Sequence, residues 1–90
     1  MQLNDDIHNY YEKLVIDYIT LHKLDKRFSN EFLSDLCCIV LNQLPSKYIR
    51  HEVDLAFYMP AAERFEMEMN VKESIVRALE FMESREEREI

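Results

Sequence analysis

Asn30-Glu31-Phe32-Leu33-Ser34-Asp35-Leu36-Cys37-Cys38-Ile39-Val40-Leu41-Asn42-Gln43-Leu44-Pro45-Ser46-Lys47-Tyr48 runs from a capping residue through a periodic apolar set to a proline. Phe32, Leu33, Leu36, Cys37, Ile39, Val40 and Leu44 recur at helical spacing, with Glu31, Asp35 and Asn42 between them. Ser29 and Asn30 are residue types that cap a helix start. Pro45 has no N–H and clashes with a preceding helical turn, so the helix is predicted over 30–44. It is apolar over more than half its circumference, which predicts a central helix covered on two sides.

Upstream, Ile7, Tyr11, Leu14, Val15, Tyr18 and Ile19 form one stripe of an amphipathic helix from Asp5 to His22, with Asn4 or Asp5 as its cap. Charged residues at Asp25, Lys26 and Arg27 break the stripe, which predicts a short connector over 24–27. Downstream, Val53, Leu55, Phe57 and Met59 alternate with Asp54, Ala56 and Tyr58, predicting a short extended segment near 52–59. That segment needs a strand partner, and a symmetry mate is one source. From Pro60 onward there is no breaker up to Glu87, and Phe65, Met69, Lys72, Ile75, Val76, Leu79 and Met82 trace the expected buried face of one long helix, or of two divided near Asn70. The charged tail from about residue 84 lacks an apolar face and is expected to fray. The fold class is therefore mainly α: a small helical domain over residues 1–90, with one extended segment, expected as a dimer because a core this small gains from partner burial.

Composition narrows the function. The 90 residues contain no glycine, which excludes the phosphate-cradling loops of dinucleotide-binding and P-loop folds. A formal charge of −7, from 18 acidic against 11 basic residues, argues against DNA or RNA as a partner. The longest apolar run, around Cys37 to Leu41, is far below the roughly 20 residues that span a bilayer, and Met1 to Asp6 has no signal-like pattern; a cytoplasmic protein without membrane contact is expected. Cys37 and Cys38 are adjacent, a spacing that strains a disulfide, and are read as reduced, buried thiols. His8 and Glu12 stand four apart but lack further ligands, so no metal is expected, and no cofactor either. His51 beside Glu52 and Asp54 has no nucleophile to serve, and the chain is read as a non-enzyme.

Pro45-Ser46-Lys47-Tyr48-Ile49-Arg50-His51 holds the informative cluster. Lys47 and Arg50 are fixed cations, Tyr48 is a flat ring and His51 carries a titratable imidazole; together these residue types suit a small polyanion bearing planar bases. The plainer reading is a solvated loop pinned by Tyr48 and Ile49. Glu63, Glu66, Glu68 and Glu73 read as a solvated helix face, and Met59, Met67, Met69 and Met82 as core or an adaptable interface.

Ile7-His8-Asn9-Tyr10-Tyr11-Glu12-Lys13-Leu14-Val15, followed by Asp35-Leu36-Cys37-Cys38-Ile39-Val40-Leu41-Asn42-Gln43-Leu44-Pro45-Ser46-Lys47-Tyr48, resembles the late competence development ComFB family. The resemblance marks Asn9, Glu12, Asn42, Leu44, Pro45 and Tyr48 as motif positions, several of them serving the fold. It implies a small α-helical bacterial cytosolic domain, usually dimeric and without enzymatic activity. It also implies a cyclic dinucleotide ligand, cyclic di-GMP above all, at Lys47, Tyr48, Arg50 and His51, relayed to a downstream protein. Some members carry a cysteine cluster resembling a zinc site where this chain reads Asp25 to Glu31 without cysteine, so zinc is not implied. The competing expectation is a structural or adaptor homodimer that binds a protein partner and no nucleotide.

Overall fold

The first helix starts where an extended segment ends. In the computed structural model, which describes residues 7–50 and 59–88, His8–Asn9 form strand β1 and Tyr10–Leu21 form helix α1. Asn9 is the cap: its backbone is extended and its side chain accepts the Tyr11 N–H. The expected helical start at Asp5, with Asn4 or Asp5 as the cap, is thus corrected at Ile7 to Asn9. The backbone there pairs with Tyr48–Ile49, strand β2, so it cannot close helical bonds. The two strands are antiparallel, with His8 opposite Ile49 and Asn9 opposite Tyr48. Two-residue strands carry no alternation, which is why neither is visible in the sequence.

Helix α1 ends at a cap usually built on glycine. Lys23 adopts φ 57° and its N–H bonds the Thr20 carbonyl at 3.2 Å, while the His22 N–H bonds the Tyr18 carbonyl at 3.0 Å. In a chain without glycine, the left-handed residue is a lysine. The reversal drops Leu24 into the core at 4% exposure, and Leu24–Arg27 form a one-turn helix α2 rather than the expected connector.

Helix α3 spans Asn30–Gln43, with Ser29 as its cap accepting the Phe32 N–H at 3.1 Å. It stops before Pro45, as the missing donor dictates, with the Leu44 N–H bonding the Val40 carbonyl. Helix α4 spans Ala61–Arg88, unbroken at Asn70. It packs on both α3 and α1, so the long helix, not α3, is the spine of the fold. On α3 only Leu36 and Val40 are fully buried, with Leu33, Cys37, Ile39, Leu41 and Leu44 half-buried against them.

The core joins Tyr10, Tyr11, Leu14, Val15 and Ile19 of α1 to Leu36 and Val40 of α3 and to Met67, Val71, Ile75 and Ala78 of α4. The expected buried face of α4 holds for Ile75, Leu79 and Met82 but is corrected in its first half. Phe65 is 65% exposed, and Met69, Lys72 and Val76 also face outward. Met67, Val71 and Ser74 are buried in their place, because α1 and α3 approach that side. The extended segment expected near 52–59 lies outside the described residues except for Met59, which is buried. Among the described residues, no helix is long and apolar enough to cross a membrane.

Candidate functional site

The Lys47–Arg50 cluster is positioned by Asn9. As α3 ends at Leu44, Pro45 and Ser46 turn the chain back along β1, where the Lys47 N–H donates to Asn9 Oδ1 at 2.9 Å. The Lys47 carbonyl in turn accepts the Tyr10 N–H at 2.7 Å. One side-chain oxygen therefore caps α1 and fixes the start of β2. This gives the motif positions Asn9, Leu44 and Pro45 structural duties, while Glu12 and Asn42 are exposed.

The four candidate ligand residues do not stand alike. Lys47 Nζ lies 3.3 Å from a carboxylate oxygen of Glu63, in the first turn of α4. With both side chains close to half exposed, this pair adds little stability, but it offsets the charge that Lys47 would offer a phosphate. Tyr48 is 67% exposed, its ring held at the sheet edge. Arg50, two residues on, is exposed and forms no ion pair with the described residues. His51 lies outside the described residues.

Beside Lys47 is a shallow cleft of about 260 Å³ lined by Tyr11, Pro45, Ser46, Lys47, Glu63, Glu66, Met67 and Asn70. Glu63 and Glu66 place carboxylates on its wall, so it repels phosphate, and Arg50 is not among the residues that line it. The cleft floor is braced by a long bond from Asn70 Nδ2 to the Tyr11 hydroxyl at 3.5 Å. Further along the helix pair, buried Ser74 donates to Gln43 Oε1 at 3.0 Å, so this core hydroxyl is satisfied.

A larger groove of about 500 Å³ lies between α3 and α4, away from this cluster, and was not anticipated from sequence. Phe32, Ile39, Phe81 and Met82 line it together with Asp35, Cys38 and Arg85. Two stacks flank it: Arg27 over Phe28, whose ring lies 4.3 Å from that of Phe32, and Arg85 over Phe81 at 5.8 Å. The four-residue spacings Phe28–Phe32 and Phe81–Arg85 were the available signal. The cysteines are also corrected here. Cys38 is exposed and Cys37 half-buried, because neighbours on a helix point about 100° apart and cannot both face the core. Burial, with Cys38 beside it as the smaller cause, pushes the Cys37 thiol above its ordinary pKa. Both thiols are free, and the described residues contain no group of three or more side chains suited to hold a metal ion.

The family model for the late competence development protein ComFB matches residues 8–86, nearly the whole chain. No curated protein and no solved structure matches it.

Proposed function

Since the chain belongs to the late competence development protein ComFB family, we propose that it is a non-enzymatic, cytoplasmic signalling module that binds a cyclic dinucleotide as a homodimer and relays it to a partner protein. The observation that supports this reading most is the pairing of an exposed ring, Tyr48, with a cation two residues on, Arg50, that no described residue neutralises. A cyclic dinucleotide offers two flat bases and two phosphates. Tyr48 stacks on a base, and the Arg50 guanidinium takes a phosphate with paired N–H donors. Lys47 contributes only if the ligand draws it from Glu63, so its role is smaller than the sequence alone suggests. The ligand has two-fold symmetry and so does a homodimer, which lets two Tyr48–Arg50 pairs meet its two halves. Cyclic di-GMP is taken as the favoured ligand, in keeping with the family resemblance.

Isothermal titration with cyclic di-GMP and cyclic di-AMP, with GTP and ATP as controls, at two salt concentrations tests the reading. Saturable binding of one cyclic dinucleotide, weakened by salt, is the expected result. Silence from both at high protein concentration removes it. The second reading, an adaptor homodimer that captures a protein without nucleotide, draws on the outward-facing Phe65, Met69 and Val76 of α4. It is favoured if partner capture survives a Lys47→Ala, Arg50→Ala double variant and no nucleotide changes it.

A further inference from the structure

Lys47 is held by an acid before any ligand arrives. Its Nζ lies 3.3 Å from a carboxylate oxygen of Glu63, in the first turn of α4. A second acid, Glu66, stands three residues further along the same helix and lines the same cleft, yet it forms no ion pair with the described residues. Lys47 is the only cation among the described residues that line this cleft. Arg50, the other fixed cation of the cluster, has no ion pair with the described residues. The two cations of one candidate site are therefore in different states, and a single carboxylate makes the difference.

Magnitudes decide what that contact does. The Lys47 and Glu63 side chains are 45% and 42% exposed, and a pair this open to water favours the closed arrangement by less than about fivefold. A charge-assisted bond from an ammonium to a phosphate oxygen is worth more, about tenfold or above. A phosphate within reach therefore takes Lys47 from Glu63, but the affinity it shows is lowered by the share of molecules in which Lys47 is still held. Losing Lys47 does not strand Glu63, because a carboxylate in the first turn of a helix faces the positive end of the helix dipole. The exchange is local, and α4 keeps its start.

We propose that Glu63 regulates the anion site as a built-in competitor, occupying Lys47 in the unliganded protein and thereby setting the affinity for a phosphate-bearing ligand. This rests on the ligand-binding reading of the Lys47–Arg50 cluster given above and assigns the residue that tunes it. Competition acts through Lys47 alone, so the Arg50 contact is untouched by it. Removing any nearby negative charge also raises affinity for an anion through the general field. Glu66 separates the two effects, since it carries the same charge in the same cleft without pairing to Lys47.

Isothermal titration with cyclic di-GMP at low salt across wild type, Glu63→Gln, Glu66→Gln, Lys47→Ala and the Lys47→Ala, Glu63→Gln double variant tests it, with circular dichroism to confirm that each is folded. Glu63→Gln is expected to bind about two- to fivefold tighter than wild type, and Glu66→Gln to gain less. In the Lys47→Ala background, Glu63→Gln is expected to gain almost nothing, because the cation it competes for is gone. A Glu63→Gln variant that binds no tighter than wild type overturns the competition and leaves the binding reading in place. So does a gain that is equally large without Lys47, or equally large in Glu66→Gln, since either is the general field. No binding by any of the five proteins overturns the binding reading and the regulation together.

Discussion

Asn9 holds two distant pieces of chain with one oxygen, accepting the Tyr11 N–H at 3.2 Å and the Lys47 N–H at 2.9 Å. Replacing it with alanine strips α1 of its cap and leaves the Lys47 N–H without its acceptor, a loss of about 1–3 kcal/mol. Urea denaturation of Asn9→Ala against wild type measures this; a change below about 0.5 kcal/mol contradicts the double role. Asn9→Asp keeps the acceptor and is expected to lose less. The sequence marked Asn9 as a motif position but assigned the cap to Asn4 or Asp5. Cap choice depends on where the backbone turns extended, and here a contact with residue 47 decides that. The two thiols differ in the same local way. Cys37 is half-buried with its pKa raised by burial first and Cys38 second, so at neutral pH it holds less thiolate than an unperturbed thiol. Alkylation followed by mass spectrometry is expected to label exposed Cys38 first, with Cys37 catching up only as pH rises into the alkaline range. Equal rates at neutral pH contradict this placement.

At the scale of elements, α3 was legible almost to the residue, because Ser29 and Pro45 bracket it with chemistry that leaves little choice. Helix α4 was legible in its start after Pro60, but the sequence left open one helix or two and read the rotation correctly only in the second half, at Ile75, Leu79 and Met82. Its outward stripe contains Phe65, Met69 and Val76, whereas its buried stripe of Met67, Val71, Ile75 and Ala78 also holds Ser74, with Asn70 half-buried beside it, so hydrophobicity alone does not choose between the two sides. The polar members are tolerated inside because Ser74 finds Gln43 and Asn70 finds Tyr11, partners that only the tertiary fold provides. Adjacent residues 75 and 76 test the rotation directly. Ile75, fully buried, is expected to cost about 2–5 kcal/mol on replacement with alanine, while Val76→Ala costs within about 1 kcal/mol in the monomer. Thermal unfolding at low protein concentration separates them; the reverse order places the core on the other face.

For the whole molecule, three helices enclose the core, and the short β1–β2 pairing presents the Lys47–Arg50 cluster at one edge. The sequence reads that cluster as one local run, of which His51 lies outside the described residues. It could not show that Glu63, sixteen positions on, would sit beside Lys47, since that contact arises from where α4 begins relative to the end of α3. Under the proposed function this divides the labour: Arg50 and Tyr48 would meet the ligand, with Lys47 held by Glu63. The affinity of cyclic di-GMP for Arg50→Ala beside wild type and Lys47→Ala measures this most directly. Wild type is expected to bind, Arg50→Ala to lose about 1.5–3 kcal/mol of binding free energy, and Lys47→Ala to lose markedly less. Equal affinity in wild type and Arg50→Ala, or no binding by wild type, contradicts it.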